Sequence, residues 1–175
     1  DGTFIRRVSL DIAGRLPTEQ ESRAFLADQD PLKRSKVIDR LLEDPGYAYN
    51  FANKWTVLLK NKRSVYDGAR ATFAFYDWIH NAIKQNMPYD EFVKSIVTAS
   101  GESSASPAVL WYRSFKNDKD FVVEAKERSE DFAQIFLGVR ISCAQCHQHP
   151  FDKWSMQDYN GFTAFFSGLK IKEGI

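Results

Sequence analysis

The sequence predicts an all-α fold, and three observations carry the prediction. Apolar residues recur every three or four positions along most of the chain, sustained period-two alternation is absent, and helix start and stop signals punctuate the apolar runs. The 175 residues suffice for one core of ordinary size, and a second core would be a squeeze. The expectation is a single domain over 1–175, with about seven to eight helices and a turn bearing the cysteines between the last two.

The first helix begins near Thr3, places Phe4, Ile5, Val8 and Ile12 at helical spacing, and stops at Gly14. Thr18 and Glu21 read as a capping box that opens a short second helix to about Ala27. Asp30 followed by Pro31 predicts an N-cap and first-turn proline for a third, with Leu32, Val37, Ile38, Leu41 and Leu42 as its apolar face. Asp44-Pro45-Gly46 ends it, and from Tyr47 to about Lys60 the residues Phe51, Trp55, Leu58 and Leu59 form one face of a fourth. The polar stretch NKRSVYDGAR leads to a helix from Thr72 to Asn86, and Met87 to Asp90 connects it to another ending at Ala99. Gly101 to Pro107, rich in small polar residues, reads as an exposed loop. The longest pattern starts at Asp118 or Lys119 and runs to Val139, with Phe132, Ile135, Phe136 and Val139 as its stripe. Ser155 and Asp158 form a second capping box for the last helix, whose apolar face is Tyr159, Phe162, Phe165 and Phe166. No internal repeat is present.

Composition removes several classes of function. With 24 Lys and Arg against 23 Asp and Glu the net charge is +1, and no block of like charge supplies the basic face that nucleic acid or an anionic membrane surface requires. No apolar run approaches the roughly eighteen residues of a spanning helix, so no membrane insertion by this segment is expected. The 14 Phe, 7 Tyr and 4 Trp give more flat apolar surface than a small helical core needs, which suits either an aromatic core or a pocket for a flat ligand. The chain opens almost directly into a helix and stops at GLKIKEGI, and it is read as a segment of a longer multi-domain protein.

The chemistry concentrates in SCAQCHQHPFDKW, Ser142 to Trp154, which holds both cysteines and two of the three histidines. Cys143-Ala144-Gln145-Cys146-His147 is the spacing that attaches a c-type haem. Two thiols on one turn can each add to a porphyrin vinyl group, and His147, the next residue, supplies the proximal imidazole to iron. Three rivals compete with haem c. A thioredoxin-type redox pair needs a βαβ context that this chain lacks, and a Cys143–Cys146 disulfide would close a tiny loop and stabilise little. Zinc is the serious rival, with Cys143, Cys146, His149 and also His147 as donors in a compact run, but four-coordinate zinc usually gathers two pairs separated by a longer loop and no second pair exists here.

His149 cannot be the sixth iron ligand opposite His147. Two residues of extended chain span about 7 Å, whereas imidazoles on opposite faces of one iron put their Cα atoms on the order of 12 Å apart. Its expected role is a hydrogen bond to a propionate or to backbone, or that of a plain loop residue. His80 and Met156 are the remaining distal candidates within the chain, with Met87 behind them, and an open or water-bound position stands beside these. Arg140, Lys153 and Trp154 could donate to propionates or serve as surface and packing residues.

FIRRVSLDIAGRLPT, VIDRLLEDPGYAYNFANKW, MPYDEFV, FLGVRISCAQCHQHPFDKW and DYNGFTAFF together resemble the planctomycete-type cytochrome c family. More narrowly, the chain is similar to the second cytochrome-like domain of its large, multi-domain extracytoplasmic members. The resemblance covers nearly the whole chain. It implies haem attachment at Cys143, Cys146 and His147, with His149, Pro150, Phe151 and Asp152 in the same signature, and a periplasmic or cell-surface setting. Neither His80 nor Met156 matches a signature position of the family. The function expected is a monohaem c-type cytochrome domain passing electrons to other domains of its parent protein and to redox partners. A haem enzyme or sensor with an open iron, and a zinc-binding or structural interaction domain, are the alternatives.

Overall fold

The computed structural model describes residues 1–62, 68–113 and 125–168, and the regular elements among them are all helices, without a strand. In chain order they are α1 (Gly2–Ala13), α2 (Glu19–Ala27), α3 (Lys33–Leu42), α4 (Pro45–Leu58), α5 (Gly68–Lys84), α6 (Tyr89–Val97), α7 (Leu110–Arg113), α8 (Ala125–Phe136) and α9 (Met156–Ala164). Two 3₁₀ turns, Pro107–Val109 and Ser142–Gln145, precede α7 and α9. The predicted all-α class holds. The expected start of the longest helix at Asp118 or Lys119 lies outside the described residues.

The chain divides into two compact units, Asp1–Val57 with Tyr76–Tyr89, and Leu58–Phe75 with Asp90–Ile175. In the first, α1 packs on α2 and α3 and buries Ile5, Ser9 and Ala13. Gly14 ends α1 at φ 68°, a left-handed conformation that glycine adopts without strain. The carboxamide of Asn50 donates to the carbonyls of Asp11 and Ile12, both at 3.0 Å, and so satisfies acceptors that the helix end leaves open. Gly46 is required for contact rather than for conformation, since a Cβ there would meet the Ala13 carbonyl oxygen at 2.7 Å.

The Thr18–Glu21 capping box forms as predicted, with both reciprocal bonds present. The third helix departs from expectation. It starts at Lys33 because Asp30 spends its carboxylate on the Leu32 amide, at 2.7 Å, and on Lys36, making a turn before the helix rather than its N-cap. The face of α4 differs too. Ala48 and Ala52 are buried, while Phe51 and Trp55 are half-buried and Leu58 is exposed; of the predicted face only Leu59, just past the helix end, is fully buried. The close approach that the structure shows is at the start of the helix, where Gly46 lies against Ala13.

Arg15 ties these elements together by donating to both carboxylate oxygens of Glu21 and to Asp44 at 2.7 Å. The Arg15 hydrogen bonds hold the Glu21 carboxyl down from 4.5 to about 2, against a smaller opposing effect of burial. A carboxyl depressed on folding stabilises the fold above its unfolded pKa and loses that contribution as pH falls. Acid should therefore weaken the protein progressively between about 4.5 and about 2, and Glu21→Gln should flatten that limb of the urea-midpoint profile. An acid limb of unchanged steepness in the variant would show that the network contributes nothing.

In the second unit, α9 packs on α8 and on the second 3₁₀ turn. Its core holds Phe92, Ile96, Ala108, Leu110, Trp111, Tyr112, Ala133 and Phe136. The stretch AVLWYR was not expected to form an element, yet it supplies a 3₁₀ turn, α7 and the fully buried Trp111. The buried Arg128 guanidinium lies 4.8 Å from the Tyr112 ring centre, and burial pulls its pKa down to about 10, still far above neutrality. The Ser155–Asp158 capping box opens α9 as predicted. Tyr159 on α9 and Phe166 just past its end are buried, and Phe162 is half-buried. Phe165, the cap residue after α9, is 83 % exposed although the sequence places it on the apolar face.

Candidate functional site

The cysteine-bearing turn is held in place by how α8 ends. Gly138 adopts φ 67°, and the Val139 amide reaches back to the Ala133 carbonyl at 3.0 Å, the six-to-one closure of a Schellman motif. The chain then turns so that Ile141 and Ala144 enter an apolar cluster with Ala133 and Tyr159, with Val139, Trp154 and Phe162 packed against it. The tyrosine that completes the cluster donates its hydroxyl to Glu130 at 2.8 Å. Burial first, and the Glu130 carboxylate second, push the Tyr159 phenol up to about 12, with a smaller contribution from the nearby Cys146.

With Ile141 and Ala144 anchored, the other residues of the turn face outward. Cys143 is half-buried, Cys146 is exposed, and both are free thiols. Cys143 lies in the 3₁₀ turn and Cys146 is the residue that caps its end, three positions on. His147 is exposed, and its Nδ1 lies 2.7 Å from the Gln148 carbonyl. A carbonyl only accepts, so Nδ1 carries the proton and Nε2 presents a lone pair. The stretch thus carries two free thiols three residues apart, followed by an imidazole with Nδ1 engaged and Nε2 open, which are groups of the kind that can hold a covalent haem.

His149 is committed differently. Its backbone amide donates to the Trp154 carbonyl at 2.9 Å, its Nε2 donates to the Arg140 carbonyl at 3.1 Å, and its Nδ1 accepts from the Phe151 amide at 3.3 Å. Both ring nitrogens are used, which places His149 in the backbone-bonding role foreseen for it. Asp152 continues the loop by accepting from the Lys153 amide at 2.7 Å and from the Trp154 indole at 3.0 Å, and Gln148 donates to the Lys153 carbonyl. The stretch HPFDKW is thus a self-bonded loop behind His147, with the Phe151 ring 94 % exposed at its surface. The Lys153 ammonium sits 5.4 Å from the Trp154 ring centre, and Arg140 is exposed.

The remaining candidates separate. His80 belongs to the first unit, where its ring lies 4.4 Å from that of Tyr49 and stacks on Tyr76 at 6.4 Å between centres. Met156 is exposed at the first residue of α9, and Met87 is half-buried just beyond α5. Among the described residues, no three His, Cys, Asp or Glu side chains gather as a metal-ion cluster, so Cys143, Cys146, His147 and His149 do not assemble the four donors that zinc would need. The Tyr159–Glu130 pair was not foreseen, since its partners lie 29 residues apart and neither carries a local signal.

Among the described residues, no helix is long and apolar enough to cross a membrane. The model of one family, PSCyt2, described as a protein of unknown function (DUF1549), matches residues 1–171. No curated protein and no solved structure matches the chain.

Proposed function

The chain belongs to the PSCyt2 family, of unknown function, and from that premise we propose that it is a monohaem c-type cytochrome module of a larger extracytoplasmic protein. Cys143 and Cys146 hold the porphyrin, and each thiol adds across a vinyl double bond, sulfur to one carbon and the proton to the other. His147 binds iron through Nε2. Bound haem supplies a one-electron couple, which this module would pass to neighbouring domains or to redox partners. A c-type haem is attached outside the cytoplasm, so a periplasmic or cell-surface location goes with this reading.

The observation that carries it is the division of labour in one short turn. Ile141 and Ala144 are buried to fix it, both thiols stay free, Cys143 half-buried and Cys146 exposed, and the following imidazole has its Nδ1 engaged and its Nε2 available. A turn built only to pack would bury the cysteines, which are among the most buried residue types in proteins. The family name, which suggests a cytochrome, points the same way.

The test is to produce the chain with c-haem maturation in an oxidising compartment and record reduced-minus-oxidised and pyridine-haemochrome spectra. Covalent haem at one per chain is the expected result, and none under those conditions overturns the proposal. Carbon monoxide binding then sorts an open iron from a six-coordinate carrier.

A further inference from the structure

A cleft of about 130 Å³ opens beside the cysteine turn within the second unit. Ala133, Ile141 and Ala144 form part of its lining, with Val139, Leu137 and Phe162 around them. Three residues with polar heads also line it, and each head is already engaged. The Trp154 indole donates to Asp152, Asp158 accepts from the Ser155 amide and hydroxyl, and the Tyr159 hydroxyl donates to Glu130. The space therefore offers a ligand mainly apolar contact, with the Asp158 carboxylate as the one charged group in its lining. Its volume is well below the roughly 300 Å³ lower end of pockets for drug-sized molecules, and close to the ~150 Å³ of an engineered apolar cavity that binds benzene or xenon.

We infer that this cleft is a binding site for a small, uncharged, non-hydrogen-bonding molecule, a single aromatic ring or a short branched hydrocarbon. A charged or strongly polar ligand would lose hydration against a lining that is mostly aliphatic and aromatic. Ala144 lies between the two cysteines in sequence and lines the cleft, so an occupant would touch the turn that carries both thiols. The site does not depend on the haem assignment: a chain that takes no haem would still bind, and the two conclusions can fail separately.

Benzene and xenon are the probes, titrated into the full chain with and without haem and followed by methyl NMR. Saturable one-to-one binding is expected, with Kd of about 1 mM or tighter for benzene, and with shifts concentrated on the methyl groups of Ala133, Val139 and Ile141. Ala133→Met, which fills the space with a flexible side chain, should weaken binding at least tenfold while the helical circular dichroism is retained. Should that core substitution prevent folding, Val139→Phe at the half-buried wall is the second blocking variant, with the same loss expected. Linear, unsaturable shifts in the parent chain, or equal binding by a folded blocking variant, overturn the assignment.

Discussion

Replacing His147 by alanine should leave the haem covalently attached but change its spin state, whereas His149→Ala should leave the spin state unchanged. The two histidines lie two residues apart and look alike as donors in sequence. Their ring nitrogens distinguish them: His147 has one engaged and one available, while His149 donates through Nε2 to Arg140 and accepts at Nδ1 from Phe151. On the proposed haem assignment, loss of the His147 ring would remove the proximal ligand and leave the thioethers of Cys143 and Cys146 to hold the porphyrin. Loss of the His149 ring removes two hydrogen bonds that close the HPFDKW loop, at a cost of about 1–2 kcal/mol. Electronic and electron paramagnetic resonance spectra of both variants, beside their urea midpoints, check the split. A His149→Ala protein that loses an axial ligand would contradict both the chain-length argument and the hydrogen bonding. As a companion, Cys143→Ala with Cys146→Ala should leave no haem that survives acid–acetone extraction.

What was legible in the sequence was local. The capping boxes at Thr18 and Ser155 and the stop at Gly14 are fixed by residues within four positions of one another, and all three form. The cysteine spacing is local as well, and with the long pattern before it and the capping box after it, its place between the last two helices could be read. Errors arose where tertiary contact chose between locally equal options. Small Ala48 and Ala52, not Phe51 and Trp55, take the buried face of α4, whereas periodicity ranks residues by hydrophobicity. Asp30 met the N-cap preference but accepts from the amide of Leu32, two residues on and still ahead of the helix. The segment at Leu110 is too short to show a period, so nothing local distinguished it from the loop before it. At the site, the Schellman closure onto Ala133 and the Tyr159–Glu130 bond were unreadable, since each joins residues whose partnership exists only once α8 and α9 are packed.

The unannounced segment at Leu110 should prove the most sensitive part of the second unit. Trp111 is fully buried, with its ring centre 5.1 Å from that of Tyr112 and edge-on to Phe136 at 5.6 Å. From Phe136 the aromatic contacts continue to Phe132 at 5.2 Å, and from Phe132 to Phe162 and Phe166 of the α9 end at 5.9 and 5.7 Å. Phe162 in turn packs against the cluster that anchors Ile141 and Ala144. Truncating a buried tryptophan to alanine costs about 3–5 kcal/mol, against a total of roughly 5–15 kcal/mol for a typical domain. Trp111→Ala should therefore unfold the unit or leave it marginal, and should lower the yield of haem-loaded protein because the turn holding the thiols loses its support. Phe151→Ala, which removes a ring that is 94 % exposed, is the control and should shift stability by less than about 0.5 kcal/mol. Urea unfolding at equal haem occupancy measures both, and a Trp111→Ala midpoint within error of the parent would mean that this aromatic chain does not carry the support assigned to it.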